Sequence, residues 1–207
     1  LNKYVSISGV IDYLKNWFFS CEWFEKYDLV EFISKIDSNT FNVGFIEECN
    51  ASLKREMSAY RIIDNHIVQI TSEEEIIEIE EALDNSSKWL SVNIHLRSSI
   101  EMFSNRENPD YRNSVKEAIC SIESLCIIIT GDKKATLGSA LTQIESKFKI
   151  HGALKKAFSS LYGYTSDSGG IRHSLLEDDI EVSIEDAKFM IVSCSAFINY
   201  LKFKIEK

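Results

Sequence analysis

The sequence has one proline, Pro109, and 8 glycines in 207 residues. Folds with many tight turns use both freely, so an all-β sandwich or barrel is excluded and long helices are expected. Long apolar runs are missing as well. The longest uncharged stretch near the C-terminus, residues 189–201, is 13 residues. A membrane span needs about 20, so this stretch is expected as a buried helix and no membrane is expected as a partner. No basic segment followed by an apolar stretch and a cleavage site opens the sequence, and a cytoplasmic protein is expected.

Other absences narrow the chemistry. The five cysteines (Cys21, Cys49, Cys120, Cys126 and Cys194) are an odd number and form no C-x-x-C pair. They fall mostly on apolar helical faces and are expected as free thiols. Gly131 and Gly138 lack the spacing of a phosphate-binding P-loop, and there is no H-E-x-x-H. The four histidines, at 66, 95, 151 and 173, are too scattered in sequence to suggest a metal site. Glu177, Asp178, Asp179 and Glu181 read as a solvated acidic turn. No cofactor and no metal are expected.

What is there begins with charge. The net charge is −9, unevenly spread. Residues 1–84 hold 7 basic and 17 acidic side chains, a net of −10; residues 85–207 hold 16 and 15, a net of +1. Between Lys133 and Lys156 lie six lysines (133, 134, 147, 149, 155 and 156) and one acid, Glu145. A net of +5 in an acidic protein suits a phosphate-facing surface, and Lys133, Lys134, Lys155 and Lys156 are the candidate RNA-binding residues. The alternative is solvated lysine on two helix surfaces.

Helical periodicity dominates the chain. Ile11, Leu14, Trp17, Phe18 and Cys21 share one face; Leu29, Phe32, Ile33 and Ile36 share another; Ile46, Cys49, Leu53 and Met57 a third. The aromatics Trp17, Phe18, Phe19, Trp23, Phe24 and Tyr27 are expected in a core. Residues 59–70 change to a period of two around Asp64-Asn65, a β-hairpin signal. Helix resumes after Thr71-Ser72 and again with Trp89, Val92, Leu96, Ile100 and Phe103. After Pro109 four more helices are expected: 110–130, 136–148, 151–162, and one from the Ser183-x-x-Asp186 cap to about 205. The last is apolar nearly all round and is expected at the centre of a four-helix bundle. The fold class is mainly α with one small hairpin.

One loop concentrates unusual residues: Tyr162-Gly163-Tyr164-Thr165-Ser166-Asp167-Ser168-Gly169-Gly170-Ile171-Arg172-His173-Ser174. Gly169 and Gly170 permit close approach of backbone to a ligand. Arg172 offers a fixed fork for phosphate oxygens. His173 exchanges a proton near neutral pH. Arg112 and Glu123 lie about 20° apart on one flank of the 110–130 stripe. A carboxylate at a core edge calls for a partner, and Arg172, His173 and Arg112 are the candidates.

Residues 109–138, the loop at 162–174 and residues 185–197 resemble bacterial abortive-infection proteins related to AbiJ. The N-terminal part, with Tyr60-Arg61 in its hairpin, resembles the N-terminal domains of the same proteins. The resemblance implies a phage-defence role and a HEPN-like four-helix domain over 106–207, preceded by a helical region over 1–105. HEPN domains are often homodimeric and many are metal-independent ribonucleases. It implies Arg172 as the phosphate-holding residue and His173 as the catalytic acid and base, with RNA as substrate. The HEPN pattern places four to six residues between Arg and His, whereas Arg172 and His173 are adjacent. Two functions therefore stay open: an RNA-binding protein that cleaves RNA, and a non-enzymatic HEPN-like module that senses a phage component or regulates a partner.

Overall fold

The computed structural model describes residues 6–36, 39–83, 87–134, 136–166 and 182–206. Among the described residues are nine α-helices, one 3-10 turn and one two-stranded sheet, the mainly α class expected. The chain divides into two compact units, Leu1–Ile67 and Val68–Lys207.

The first unit holds α1 (Ile7–Ser20), α2 (Trp23–Lys35), α3 (Asn39–Arg55), and a hairpin of β1 (Arg61–Ile63) and β2 (His66–Val68) that runs up to the unit boundary. Ser6 caps α1 by accepting from the Gly9 N–H. Glu22 and Glu25 form a reciprocal capping box at the start of α2. Asp64 and Asn65 sit at φ 48° and 63°, the left-handed pair that a two-residue hairpin turn requires. The strands are three residues each, shorter than the alternating pattern of 59–70.

A two-stranded sheet has two open edges, and helix side chains satisfy both. Asn50 of α3 clasps β1: its Nδ2 donates to the Ile62 carbonyl at 2.9 Å and its Oδ1 accepts from the Ile62 N–H at 2.8 Å. Glu31 of α2 accepts from the Ile67 N–H at 3.0 Å, and the buried Ser34 hydroxyl donates to the Asn65 carbonyl at 3.0 Å. Ile62, Ile63 and Ile67 fill the interior that results.

The aromatic residues expected in a core are not there. Phe19 is 82% exposed and Trp23 56%; Phe24 is exposed, Trp17, Phe18 and Tyr27 are half-buried, and no residue of α1 is buried. A unit this small has little interior for its surface, and the hairpin isoleucines occupy it.

The second unit carries α4 (Glu73–Ala82), α5 (Leu90–Ser104), α6 (Tyr111–Thr130), α7 (Leu137–Phe148), α8 (Gly152–Ser166) and α9 (Ile184–Ile205). Ser72, Asp110, Thr136 and Ser183 cap the starts of α4, α6, α7 and α9 through their side chains. Gly131, at φ 72°, ends α6 in the left-handed conformation that glycine adopts without strain. Helices α6 to α9 pack as a bundle, with α4 and α5 laid on α9 and α6. The apolar sets of α5 and α6 are buried as their periodicity requires: Val92, Leu96, Ile100 and Phe103 on one, Val115, Ala118, Ile119, Ile122, Leu125 and Cys126 on the other.

The central place expected of the last helix falls to α6, which packs on α5, α7, α8 and α9; α9 packs on α4, α5 and α6 and leaves Phe189 and Phe203 exposed. Met190, Ile191, Cys194, Phe197, Ile198 and Leu201 are buried, and Phe158 of α8 stacks on Phe197. Polar side chains tie α9 to α4. Asn199 donates to the Glu78 carbonyl and carboxylate, both at 2.9 Å. The Lys202 ammonium, 7% exposed, donates to the Ala82 carbonyl at 3.0 Å and lies 5.5 Å from the Trp89 ring centre. Among the described residues no helix is long and apolar enough to cross a membrane.

Asn50→Ala removes both partners of Ile62 and leaves its N–H and carbonyl to find water at a partly buried edge. Unfolding in urea is expected to show the first unit destabilised by about 1–3 kcal/mol, with hairpin amide protection lost first.

Candidate functional site

Gly169, Gly170, Arg172 and His173 lie outside the described residues, in the segment 167–181 between α8 and α9. Both ends of that segment are well anchored. The Thr165 side chain is buried and its hydroxyl donates to the Tyr162 carbonyl at 2.8 Å. At the other end Ser183 and Asp186 form a reciprocal capping box on α9, at 3.0 and 3.2 Å. Burial and the nearby Asp186 carboxylate push the Tyr164 phenol up from its ordinary range. The end of α8 thus lies near the start of α9.

The two supporting residues share a helix and not a contact. Arg112 and Glu123 are both half-buried on α6, eleven residues apart. A regular helix separates them by about 16 Å along its axis, so sharing a flank does not let them pair with each other. Glu123 stands near Cys126, one turn on, where its charge helps raise the thiol.

The lysine-rich stretch is two groups rather than one patch. Lys133 and Lys134 occupy the exposed turn between α6 and α7. Lys147, Lys149, Lys155 and Lys156 follow at the far end of α7, about 18 Å away over its twelve residues. Lys155 is committed within the protein: its ammonium lies 2.6 Å from Glu145 Oε2. Lys147 lies 5.7 Å from the Phe148 ring centre. Lys133, Lys134 and Lys156 are exposed and offer the cleanest charges to an outside phosphate.

Two groupings were not legible in the sequence. In the second unit, His95 of α5 meets Glu117 and Cys120 of α6. His95 Nδ1 lies 2.7 Å from Glu117 Oε2, and a ligand atom from each of the three lies within 4.8 Å of the other two. Glu117 and Cys120 stand three residues apart on one helix face, a spacing visible in the sequence, but nothing there brings His95 to them. In the first unit, α2 and α3 enclose an open apolar cleft. Tyr27, Ser52 and Leu53 divide it into compartments of about 490 and 340 Å³, one rimmed by Trp23 and Tyr60, the other by Phe45. Tyr27 and Tyr60 lie 5.0 Å apart between ring centres, and Tyr27 Oη shares a 2.9 Å hydrogen bond with Ser58.

The described cysteines are free thiols. Burial, with the Glu123 charge second, pushes Cys126 up to about 12, and burial raises Cys194 further. Neither is a nucleophile at neutral pH. A raised folded-state pKa means that the folded protein holds the proton after the unfolded chain has lost it. The contribution of Cys126 is therefore fully present below the ordinary thiol value of 9.0 and is lost as pH rises toward about 12. Urea midpoints are expected to fall across that window. A thiol reagent at mild alkaline pH is expected to leave Cys126 and Cys194 unmodified until denaturant is added.

No curated protein and no solved structure matches the chain. The first unit and the helix that follows it do match a known family: residues 1–85 match the model of AbiJ N-terminal domain 4.

Proposed function

We propose that this chain acts in bacterial phage defence of the abortive-infection type, binding RNA and cleaving it without a metal ion. The observation that carries the reading is the match of residues 1–85 to AbiJ N-terminal domain 4. The α6–α9 bundle supports it, being four helices with the Arg172-His173 segment joining the last two. In this reading residues 106–207 are a HEPN-like domain. Arg172 holds the scissile phosphate, and Gly169 and Gly170 let the RNA backbone close on the loop. His173 takes the proton of a ribose 2′-hydroxyl as its oxygen attacks the adjacent phosphorus, and the protonated imidazole gives a proton to the 5′-oxygen as its bond to phosphorus breaks. Adjacent residues on a helix point about 100° apart. Both side chains meet one phosphate from a turn or an extended segment, or across a homodimer that faces two such loops.

Lys133, Lys134 and Lys156 are the RNA contacts of this proposal. Affinity for single-stranded RNA is expected to fall steeply with salt, with a logarithmic slope of about −0.7 for each phosphate contacted. Lys133→Glu with Lys134→Glu is expected to weaken binding and flatten the slope while leaving stability within about 0.5 kcal/mol. Lys155→Glu is a poorer probe because it also sets two carboxylates together at Glu145.

The chemistry is tested by RNA cleavage in EDTA. Wild type is expected to cut RNA but not DNA. Arg172→Ala is expected to lose ~10²–10³ in rate and His173→Ala ~10²–10⁴, with circular dichroism unchanged. Activity equal to wild type in folded His173→Ala overturns the catalytic assignment.

A second reading has an observation of its own. The exposed Trp23 rims the α2–α3 cleft, and Phe19 and Phe32 add exposed apolar surface to the same unit. They favour a module that docks a partner, and wild type that cuts no RNA moves the proposal to that reading.

A further inference from the structure

The crossing of α5 and α6 sets a register that the site depends on. Ser99 Oγ donates to the Ser114 carbonyl at 2.7 Å, and Ser114 Oγ donates to the Ser99 carbonyl at 2.8 Å. Both hydroxyls are buried, 3.2 Å apart. Small side chains let the two helices approach closely there. One turn back on α5 is His95, and one turn on along α6 is Glu117, so antiparallel packing brings them face to face. Cys120 follows Glu117 by three residues on the same face. All three are half-buried. Among the other described histidines, His66 bonds the Asp64 carbonyl and His151 accepts from the Ala153 N–H; His95 is the one that faces both a carboxylate and a thiol.

We propose that His95, Glu117 and Cys120 bind a borderline-soft divalent cation, Zn2+ above all, leaving a coordination position to solvent. An imidazole, a carboxylate and a thiol together are a donor set for zinc. Magnesium and calcium select oxygen, and iron–sulfur clusters need more thiolates. Bonds of about 2.0–2.3 Å in a tetrahedron put ligand atoms about 3.3–3.7 Å apart. The three ligand atoms already lie within 4.8 Å of one another. His95 and Glu117, at 2.7 Å, open by about 0.6–1.0 Å to admit the ion between them. The Cys120 thiol gives its proton to solvent as it ligates. Two ligands ride on one helix and the third on a helix locked to it, so the site is held by the rigid part of the bundle. Half-burial leaves room for water as the remaining ligand.

The test uses the full chain and Co2+, which reports on sulfur ligation through its absorption. Titration is expected to saturate at one Co2+ per chain, with a sulfur-to-cobalt charge-transfer band and visible ligand-field bands, and Zn2+ is expected to displace it. Cys120→Ser is expected to lose the charge-transfer band, whereas Cys21→Ser keeps it. His95→Gln and Glu117→Gln are each expected to weaken affinity by about tenfold or more, since even outer-shell partners of a metal ligand are worth ~10–100-fold. Zn2+ is expected to raise the melting temperature of wild type and not of Cys120→Ser. Absence of saturable Co2+ absorption in folded wild type, or a charge-transfer band that survives in Cys120→Ser, overturns the assignment. The site stands apart from the RNA chemistry proposed for Arg172 and His173: the EDTA cleavage assay bears on that reading and the Co2+ spectra on this one.

Discussion

Two buried serines, Ser99 and Ser114, exchange hydroxyl-to-carbonyl hydrogen bonds across the α5–α6 crossing, and much of the second unit follows from them. Each bond is worth only about 0.5–1.5 kcal/mol net. Their larger effect is on register. A slide of one helix along the other leaves buried hydroxyls and carbonyls without partners, which costs more than the bonds contribute. That constraint sets His95 against Glu117, and it places the α6 stripe where α9 fills the remaining space. Side chains on neighbouring layers then close the structure: Asn199 and Lys202 hold α4 against α9 by its carbonyls, so even polar groups of α9 are spent on packing.

The first unit is organised by the opposite logic. Its sheet is too small to satisfy its own edges, and α2 and α3 supply the missing partners through Glu31, Ser34 and Asn50. The helices are thereby recruited to serve the hairpin, and their aromatic residues are left toward solvent. A cleft lined by Tyr27, Leu53 and Phe45 lies between them. Exposed aromatic surface on one unit, and lysines at both ends of α7 on the other, give the two units different chemistry.

The elements with strong local signals were readable from residues alone. Asp64-Asn65 announced the hairpin because few residues tolerate positive φ. Ser183 and Asp186 announced α9, and Gly131 the end of α6, because caps and stops depend on neighbours in the chain. The stripes on α5 and α6 announced which faces are buried, whereas an apolar α9 misled about the central helix, which is α6. The weakness of the same reading shows in α1. Its apolar side chains were spaced for a buried face, yet none is buried, since periodicity records what a helix is able to bury and not whether the unit has an interior to receive it.

Spacing along the chain also misjudged distance across it. Arg112 and Glu123 share a flank but stand three turns apart, and six lysines close in sequence fall at the two ends of one helix because α7 runs between them. The His95, Glu117 and Cys120 grouping lay beyond sequence reasoning for the same reason. Composition, periodicity and capping determined the helical class, the hairpin and most of the core, since those depend on contacts within a few residues. Tertiary structure alone decided which side chains meet, because helix register is set by buried partners such as Ser99 and Ser114 that lie far apart in the chain.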